Sequence, residues 1–392
     1  MCRMRAVAEK LRLSEISPGL VQSEIRAMTV ECDRVGGVNL AQGVCDTEVP
    51  APVAARAVEA IGQGLNIYTR LDGIAPLRQA IAGKLAHHNG VTVDPDAEIL
   101  VTSGATGGFL AACLALFDPG DEVILFEPFY GYHLNTLRAQ RVNAVPVPLA
   151  APGWALDLEV LRAAITPRTR GIVLNSPSNP CGKVFSRAEL EAVAALAIEH
   201  DLFVITDEIY EYFVFEGARH ICLATLPGMA ERTISISGLS KTFSITGWRI
   251  GYLVADRRWL GAISYFHDLV YVCAPSPFQH GAAAGLLQLP DSFYAGLATE
   301  YQARRDMLCA ALAEVGLSPS IPQGAYYVLA NVTNLPGATA HEKARTLLRN
   351  TGVAAVAGTA FFSDRRGENL IRFCFAKRDE DLERACGMLR TL

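Results

Sequence analysis

The sequence predicts an α/β protein with two parts: a large domain built on a mostly parallel central sheet flanked by helices, and a smaller α+β domain. Three observations lead to this fold class. Short runs rich in Val and Ile recur through the middle of the chain, and longer amphipathic segments separate several of them. Strands that alternate with helices in this way form parallel sheets covered on both faces. After about residue 285 the pattern changes to a long charged segment, short strands and a last helix.

Six apolar runs have the length and composition of buried strands. Two amphipathic segments between them, at 156–165 and 187–200, have the apolar spacing of helices. In the C-terminal part, a charged helix is predicted at 298–316 and strands at 325–332 and 369–375. The six predicted strands of the large sheet are 99–103, 123–127, 171–175, 203–207, 233–237 and 250–254.

These elements divide the chain into three parts. Residues 1–45 precede the alternating region, so we expect them to form an N-terminal arm and helix that pack against the small domain or a dimer partner. Residues 46–285 form the predicted large, ligand-binding domain. Residues 286–392 form the predicted small C-terminal domain.

Composition excludes several classes of protein. Apolar residues make up 51% of the chain and charged residues 19%, which is enough for a large core. The net charge of −5 offers no basic surface for nucleic acid. No run reaches the roughly 18 apolar residues of a membrane helix, and the charged N-terminus does not resemble a signal peptide, so a cytoplasmic location is expected. The ten cysteines are scattered without a CxxC pair, which predicts reduced thiols and no metal site.

Polar side chains gather where the predicted strands end. Asn179 follows the third strand, Asp207 and Tyr210 follow the fourth, and Lys241 follows the fifth. The first strand runs into a glycine-rich turn at 103–108 that opens a helix. Because ligands of open parallel sheets bind beyond the carboxyl ends of the strands, these groups are expected to form one site.

Each of these groups suits one part of a single ligand. A lysine amine such as that of Lys241 loses its charge readily when it is buried, and it can form a Schiff base with an aldehyde. Asp207 can keep a pyridine nitrogen protonated, while Tyr210 and Asn179 can hydrogen-bond a phenolic oxygen. The glycine-rich turn offers backbone N–H groups to a phosphate, and Arg249 adds a cation. Together they describe a site for pyridoxal 5′-phosphate.

Five motifs that occur in order resemble the class I aminotransferases of PLP fold type I. The nearest likeness is to the kynurenine/glutamine and bacterial aspartate or aromatic branch, and it covers the chain from about residue 15 to the C-terminus. The separation of Asp207 and Lys241, 241 − 207 = 34 residues, agrees with that branch. The motifs are 127-EPFYGY, 175-NSPSNPCGKVFS, 206-TDEIYEYF, 237-SGLSKTFSITGWRIGY and 370-LIRFCFA.

The resemblance implies a homodimeric enzyme that moves an amino group from an L-amino acid to a 2-oxo acid by a ping-pong mechanism. Lys241 would form the Schiff base and then act as general base and acid. Asp207 would pair with the ring nitrogen, and Asn179 and Tyr210 would contact the phenolic oxygen. Further cofactor contacts are implied for Tyr130 on the ring face, for Ala105, Thr106 and Arg249 on the phosphate, and for Tyr68 on the phosphate of the neighbouring subunit.

The substrate carboxylate would be bound by Arg372, near Gly43 and Asn179. Two departures from the family pattern affect the site. Gly238 stands where many relatives carry a phosphate-binding serine, so that either Ser237 or Ser240 could replace it. The segment that follows Gly43 also differs, which affects the substrate entrance.

Three alternatives to transamination are compatible with parts of the sequence. The same scaffold could carry another reaction of pyridoxal phosphate, such as β-elimination from cysteine conjugates by a C–S lyase. A non-enzymatic effector-binding domain is a second alternative, although no DNA-binding segment precedes the scaffold. The turn at 104–110 also resembles a dinucleotide fingerprint, but Leu110 occupies the place of the third glycine and Lys241 would be left without a role.

The substrate is less well determined. We expect Tyr271 and Val272 to give the pocket an apolar to aromatic lining, and no second arginine for a dicarboxylate is apparent. These residues favour neutral, aromatic or sulfur-containing amino acids.

Overall fold

The computed structural model describes residues 12–17 and 24–392, so the first part of the predicted N-terminal arm lies outside the described residues. The described N-terminal region is mainly helical and leads to the first strand of the large sheet. Its elements are α1 (Glu24–Val35), β1 (Val38–Asn39), α2 (Ala51–Gly62) and α3 (Ala75–Lys84).

The central region alternates strands and helices, as the sequence predicts. Each of the six predicted strands is present to within two residues at either end. The elements are β2 (Ile99–Ser103), α4 (Gly104–Leu116), β3 (Glu122–Glu127), α5 (Gly131–Ala139), β4 (Asn143–Ala150), β5 (Ala155–Leu156), α6 (Leu158–Ala163), β6 (Thr169–Asn175), α7 (Arg187–Glu199), β7 (Phe203–Asp207), β8 (Thr233–Gly238), β9 (Ile250–Val254) and α8 (Arg257–Tyr271).

The eight strands of this region form one sheet in the order β2-β9-β8-β7-β6-β3-β4-β5. Strands β8, β7, β6, β3 and β4 are mutually parallel, which confirms the predicted parallel sheet. Strand β9 runs antiparallel to both of its neighbours. The reason is the short connection, residues 239–249, between β8 and β9, because a parallel crossover needs a dozen residues or more. This connection carries Lys241 and ends at Arg249.

Alternating side chains of the strands face two separate apolar cores. Ile124 and Ile172 lie in a cluster with α7, while Val123 and Val173 lie in a cluster with α4 and α8. Since successive residues of a strand point to opposite faces, helices cover both sides of the sheet. The sheet is therefore rigid, and its carboxyl edge is the part left open for a site.

The C-terminal region forms a second, smaller sheet with helices, as predicted. Its strands pair antiparallel in the order β10-β11-β14-β13. The elements are α9 (Ser276–Gln288), α10 (Asp291–Glu314), β10 (Ser318–Ser320), β11 (Tyr327–Asn331), α11 (Ala340–Thr351), β12 (Val353–Ala354), β13 (Val356–Ala357), β14 (Leu370–Cys374) and α12 (Asp379–Leu389).

The start of the described chain packs against this C-terminal region. Strand β1 pairs in parallel with β12. Met28 and Cys32 of α1 share a buried cluster with residues of α10, α11 and α12. The boundary predicted at residues 285 and 286 falls inside α9. No helix of the described chain is long and apolar enough to cross a membrane.

Candidate active site

A cavity of about 750 Å³ opens beyond the carboxyl ends of β6, β7 and β8. Its wall is built from the loops that follow these strands, from the start of α4, and from residues of α1, β11 and β14. Most of the site residues predicted from the sequence line it. They are Gly43, Ala105, Thr106, Tyr130, Asn179, Asp207, Tyr210, Ser240, Lys241, Arg249 and Arg372.

Lys241 lies in the tight connection between β8 and β9 and points into the cavity. Its Nζ donates to the carbonyl oxygen of Gly43 at 3.0 Å and lies 5.6 Å from the centre of the Tyr326 ring. No carboxylate among the described residues forms an ion pair with this amine. Burial lowers the pKa of Lys241, because the charged form loses water without gaining a close counter-charge. The amine is therefore prepared for nucleophilic and proton-transfer chemistry.

Asp207 is the last residue of β7, and its carboxylate is buried at the floor of the cavity. Its Oδ1 accepts from the backbone N–H of Ile209 at 3.3 Å, and its Oδ2 lies 3.1 Å from Nε2 of His133. His133 is buried on α5, where its ring meets that of Tyr130 edge-on at 5.3 Å. The sequence motifs did not single out His133. Its position three residues after Tyr130 was the available signal, because Tyr130 precedes the first residue of the helix that carries His133.

The opposite end of the cavity can bind an anion. Arg249 donates from Nη2 to the hydroxyl of Thr106 at 3.0 Å and from Nη1 to the carbonyl of Thr246 at 3.0 Å. Ala105 and Thr106 belong to the first turn of α4, where backbone N–H groups lack helical partners. Gly104 has a φ of +70°, and a Cβ there would overlap the Arg249 guanidinium. The glycine thus lets the arginine and the helix N-terminus converge on one ligand.

A third part of the cavity wall is formed by Arg372, which is 1% exposed, and by the groups that contact it. Its Nη1 donates to Oδ1 of Asn179 at 2.9 Å, and its Nη2 donates to the carbonyl of Ala41 at 2.6 Å. The guanidinium stacks 4.3 Å from the ring of Tyr327 and 4.8 Å from that of Phe361. Its Nε is buried without a hydrogen-bond partner. A buried guanidinium held only by neutral groups is suited to receive a carboxylate.

Tyr210 lies beside a second tyrosine, Tyr327, in the wall of the cavity. Its hydroxyl lies 3.1 Å from the hydroxyl of Tyr327, a residue that the sequence analysis missed because it lies on a strand of the small sheet. Burial raises the pKa of Tyr210 well above its usual value, so the phenol stays protonated and can donate to a ligand oxygen. Gly43 lies so close to Tyr327 that a Cβ at residue 43 would overlap the phenol.

Some predicted residues lie elsewhere. Ser237 is not at the cavity: its hydroxyl donates to Oε1 of Glu211 at 2.9 Å, because its side chain leaves β8 on the face that points away from the ligand. Ser240 lines the cavity and is the serine placed to contact an anion. Tyr68 is 79% exposed and lies outside the cavity of its own chain. The expected lining by Tyr271 and Val272 is wrong for this cavity, and Val272 is exposed instead.

The arrangement fits pyridoxal 5′-phosphate on the chemistry of its donors. An anion-binding helix end with an arginine suits the phosphate, and a buried carboxylate suits a protonated pyridine nitrogen. An amine with a lowered pKa suits the aldehyde. The orphaned Nε of Arg372 leaves a buried donor beside these groups for a further anionic partner. Fold and site together define a pyridoxal-phosphate-dependent enzyme.

Comparison with known proteins specifies the family. Residues 35–389 match the family model "Aminotransferase class I and II". The probable N-succinyldiaminopimelate aminotransferase of Mycobacterium tuberculosis is 40% identical over 376 residues, covering 93% of this chain and 94% of that protein. Human kynurenine–oxoglutarate transaminase 1 is 35% identical, with 88% and 90% of the two chains covered. A solved structure from Escherichia coli, described as having a methionine aminotransferase function, superimposes with a TM-score of 0.93 at 31% identity. The superposition covers 97% of this chain and 100% of that chain.

The chain therefore belongs to the class I and II aminotransferases. It is a transaminase that depends on pyridoxal 5′-phosphate and acts on amino acids and 2-oxo acids. The relatives found are transaminases, which favours this reaction over the C–S lyase alternative.

Proposed function

We propose that the cavity is the transamination site and that Lys241 is the residue that attaches the cofactor and moves the proton. The observation that carries this proposal is the presence of two cationic side chains in one cavity, neither of which has a carboxylate partner among the described residues. They are the amine of Lys241 and the guanidinium of Arg372. Such groups are costly to hold unless a ligand completes them.

The other residues divide the cofactor between them. Arg249, Thr106, Ser240 and the N-terminus of α4 hold the phosphate. Asp207, supported by His133, holds the proton of the ring nitrogen. Bound pyridoxal 5′-phosphate supplies an electron sink for the carbanion formed at Cα of the amino acid.

The substrate is held at the other end of the cavity. Arg372 binds the α-carboxylate of the amino acid through its guanidinium, with Asn179 fixing the orientation of that group. Lys241, which lines the same cavity, would accept the Cα proton, because its lowered pKa increases the fraction of neutral amine. Tyr210 and Tyr130 line the cavity beside these groups.

Replacement of Lys241 by Ala tests the proposal. We expect wild-type protein to be yellow and, after borohydride reduction, to carry the cofactor on the peptide that contains Lys241. The K241A protein should yield no such adduct, and transamination should fall by about 10⁴-fold or more, because both nucleophilic and proton-transfer roles are lost. An adduct on a different lysine, or transamination retained by K241A, would contradict the assignment.

We further propose that the enzyme is a homodimer in which Tyr68 completes the partner's phosphate site. Exposed apolar side chains support this proposal, because apolar groups that are exposed close together, rather than singly, are typical of interfaces. They concentrate in two segments of the chain. These are Val58, Ile61, Ile67, Tyr68 and Leu71 in the first, and Tyr265, Leu269, Val270 and Val272 in the second.

Complementation tests the shared site. K241A and Y68A homodimers should both be impaired, whereas a co-expressed mixture contains heterodimers with one intact site. Random pairing predicts recovery of about one quarter of wild-type activity. A mixture no more active than its components, or a monomer in sedimentation experiments that still binds the cofactor tightly, would contradict the proposal.

A further inference from the structure

The cavity contains one cation more than the proposed chemistry requires. Four lysine and arginine side chains line it, together with a single carboxylate, that of Asp207. Three of the four have roles in the proposed function: Lys241 at the reaction centre, Arg249 at the phosphate and Arg372 at the α-carboxylate. The fourth is Arg26, an exposed residue of α1 at the entrance, which has no ion pair among the described residues.

Arg26 lies on a helix that is fixed relative to Arg372. Ile25, Arg26 and Thr29 of α1 line the cavity, while Met28 and Cys32 of the same helix are buried in the C-terminal core, against which Ile25 also packs. The buried residues therefore anchor the helix beside the cavity. Its position does not depend on the exposed side chain of Arg26.

A chain of hydrogen bonds joins the two arginine-bearing segments. The Asn39 amide donates from Nδ2 to Oγ1 of Thr29 at 3.1 Å. The same side chain accepts through Oδ1 from the backbone N–H of Ala41 at 2.9 Å. The carbonyl of Ala41 then accepts from Nη2 of Arg372 at 2.6 Å. Asn39 thus holds α1 in register with the segment that receives the α-carboxylate arginine.

Neutral polar side chains also line the cavity. They are Tyr132, Asn135 and Thr136 of α5 and Gln42 in the segment that follows β1. None of these side chains neutralises Arg26. The entrance therefore combines one unpaired cation with several neutral hydrogen-bonding groups, which is the lining expected for a polar substrate chain that ends in an anion.

We propose that Arg26 is a specificity residue that selects amino acids and 2-oxo acids whose side chain ends in a carboxylate. Arg372 binds the α-carboxylate and Arg26 binds the distal one. The inference rests on the proposed function, and it replaces the preference for neutral side chains that the sequence suggested. The sequence analysis found no second arginine because Arg26 precedes the motifs by many residues and meets them only in the folded chain.

Ligand binding tests the inference without turnover. Calorimetry on the holoenzyme would compare glutarate, adipate and pimelate with the monoacids pentanoate, hexanoate and heptanoate. We expect at least one diacid to bind about fivefold more tightly than its monoacid, the size of an exposed ion pair, and the difference to shrink at high salt. In R26Q the difference should disappear, and in R26K part of it should remain.

Arg34→Gln provides the matched control. Arg34 lies on the same helix, is exposed and does not line the cavity, so its replacement removes the same charge about 12 Å away along the helix axis. The diacid preference should persist in R34Q. Equal loss in R26Q and R34Q would show a general effect of charge and overturn the inference, as would a preference that R26Q leaves intact.

Single-turnover kinetics extend the test to substrates. The spectral change of the bound cofactor would be followed with L-glutamate against L-glutamine and with L-2-aminoadipate against its δ-amide. The acid-to-amide ratio of the rates should fall about fivefold in R26Q and further in R26E. If no amino acid changes the cofactor spectrum, the proposed function fails. If amino acids react but the ratio is the same in wild type, R26Q and R26E, only the role of Arg26 fails.

Discussion

Two lysines that are largely withdrawn from solvent have opposite surroundings. Lys84, at the end of α3, donates to Glu211 at 2.5 Å, to Asn89 at 2.8 Å and to the hydroxyl of Tyr252 at 3.0 Å. Burial lowers the pKa of Lys84, but the adjacent Glu211 more than compensates and raises it overall. Lys241 donates to a carbonyl oxygen and faces an aromatic ring, it has no ion pair with a carboxylate among the described residues, and burial lowers its pKa.

Two buried arginines repeat this contrast. Arg78 and Arg372 are each 1% exposed. Arg78 forms ion pairs with Asp72 at 3.3 Å and Asp96 at 2.6 Å. Arg372 is held by an amide, a carbonyl and two aromatic rings, and its Nε lacks a partner. Burial alone therefore does not mark function in this protein. In each of these two comparisons, the cation without an acid partner is the one that lines the cavity, where a ligand can supply the missing anion.

The largest effect is expected from replacing Lys84 by Met. This change leaves Glu211 buried without its counter-charge, which should cost about 3–5 kcal/mol in the free energy of unfolding. Lys241→Met should cost much less, since it strands no carboxylate. Urea denaturation of the cofactor-free proteins measures both. The double variant K84M/E211M should recover most of the loss, and equal losses for K84M and K241M would break the comparison.

The arginine pair should separate catalysis from stability. Arg372→Leu removes the α-carboxylate contact, so kcat/KM should fall by about 30-fold or more, corresponding to at least 2 kcal/mol. Arg78→Leu should instead lower the free energy of unfolding, because Asp72 is left without its buried partner. Steady-state kinetics and denaturation on both variants give the two readings. A kinetic defect in R78L as large as that in R372L would contradict the distinction.

The two lysines should also respond to pH with opposite signs. Between the lowered pKa of Lys241 and the ordinary value of 10.5, the unfolded chain binds more protons, so this group makes stability rise with pH. The pKa of Lys84 is raised, so its contribution is complete below 10.5 and is lost as pH rises through the higher, folded-state value. Denaturation of the cofactor-free wild type and of K241M up to alkaline pH measures the first effect, at most about 1.4 kcal/mol per pH unit. Parallel curves for the two proteins would exclude it.

The smallest effect should distinguish the two serines. Ser240→Ala removes a hydroxyl that lines the cavity, so the affinity for the cofactor should fall about fivefold, or about 1 kcal/mol. Ser237→Ala removes a donor to the buried Glu211, so stability should fall by about 1 kcal/mol while cofactor affinity is unchanged. Fluorescence titration and denaturation together give the assignment. The reverse outcome would place the phosphate on the other side of β8.

Much of the fold followed from local pattern. The strands at β2, β7 and β9 have the predicted bounds, because short runs of branched apolar residues between turns are compatible with little other than a buried strand. The direction of β9 was not predicted, although the brevity of the connection from β8 implies it. The end predicted for the large domain falls inside α9, a helix that packs against α2 and α3, so that no turn signal is present at that point of the sequence.

The site was predicted where its residues follow strands and missed where they come from elsewhere. Asp207 and Lys241 were recognisable because parallel strands bring their carboxyl ends to one edge. His133, Tyr327 and Arg26 reach the cavity from α5, the small sheet and α1, and no local pattern separates them from packing or surface residues. The sequence likewise did not determine to which face of the sheet Ser237 points, since that depends on where the loop to Lys241 leaves β8.

By itself, the sequence determined the order of elements, the parallel sheet and the strand-end groups, because these depend on residue type and spacing along the chain. Only the tertiary structure decided which cations keep an acid partner: Lys84 and Arg78 do, and Lys241, Arg372 and Arg26 do not among the described residues. The physical reason is that a charge pair forms across sequence separations such as that from Lys84 to Glu211, which only packing of distant elements can bring within hydrogen-bond distance.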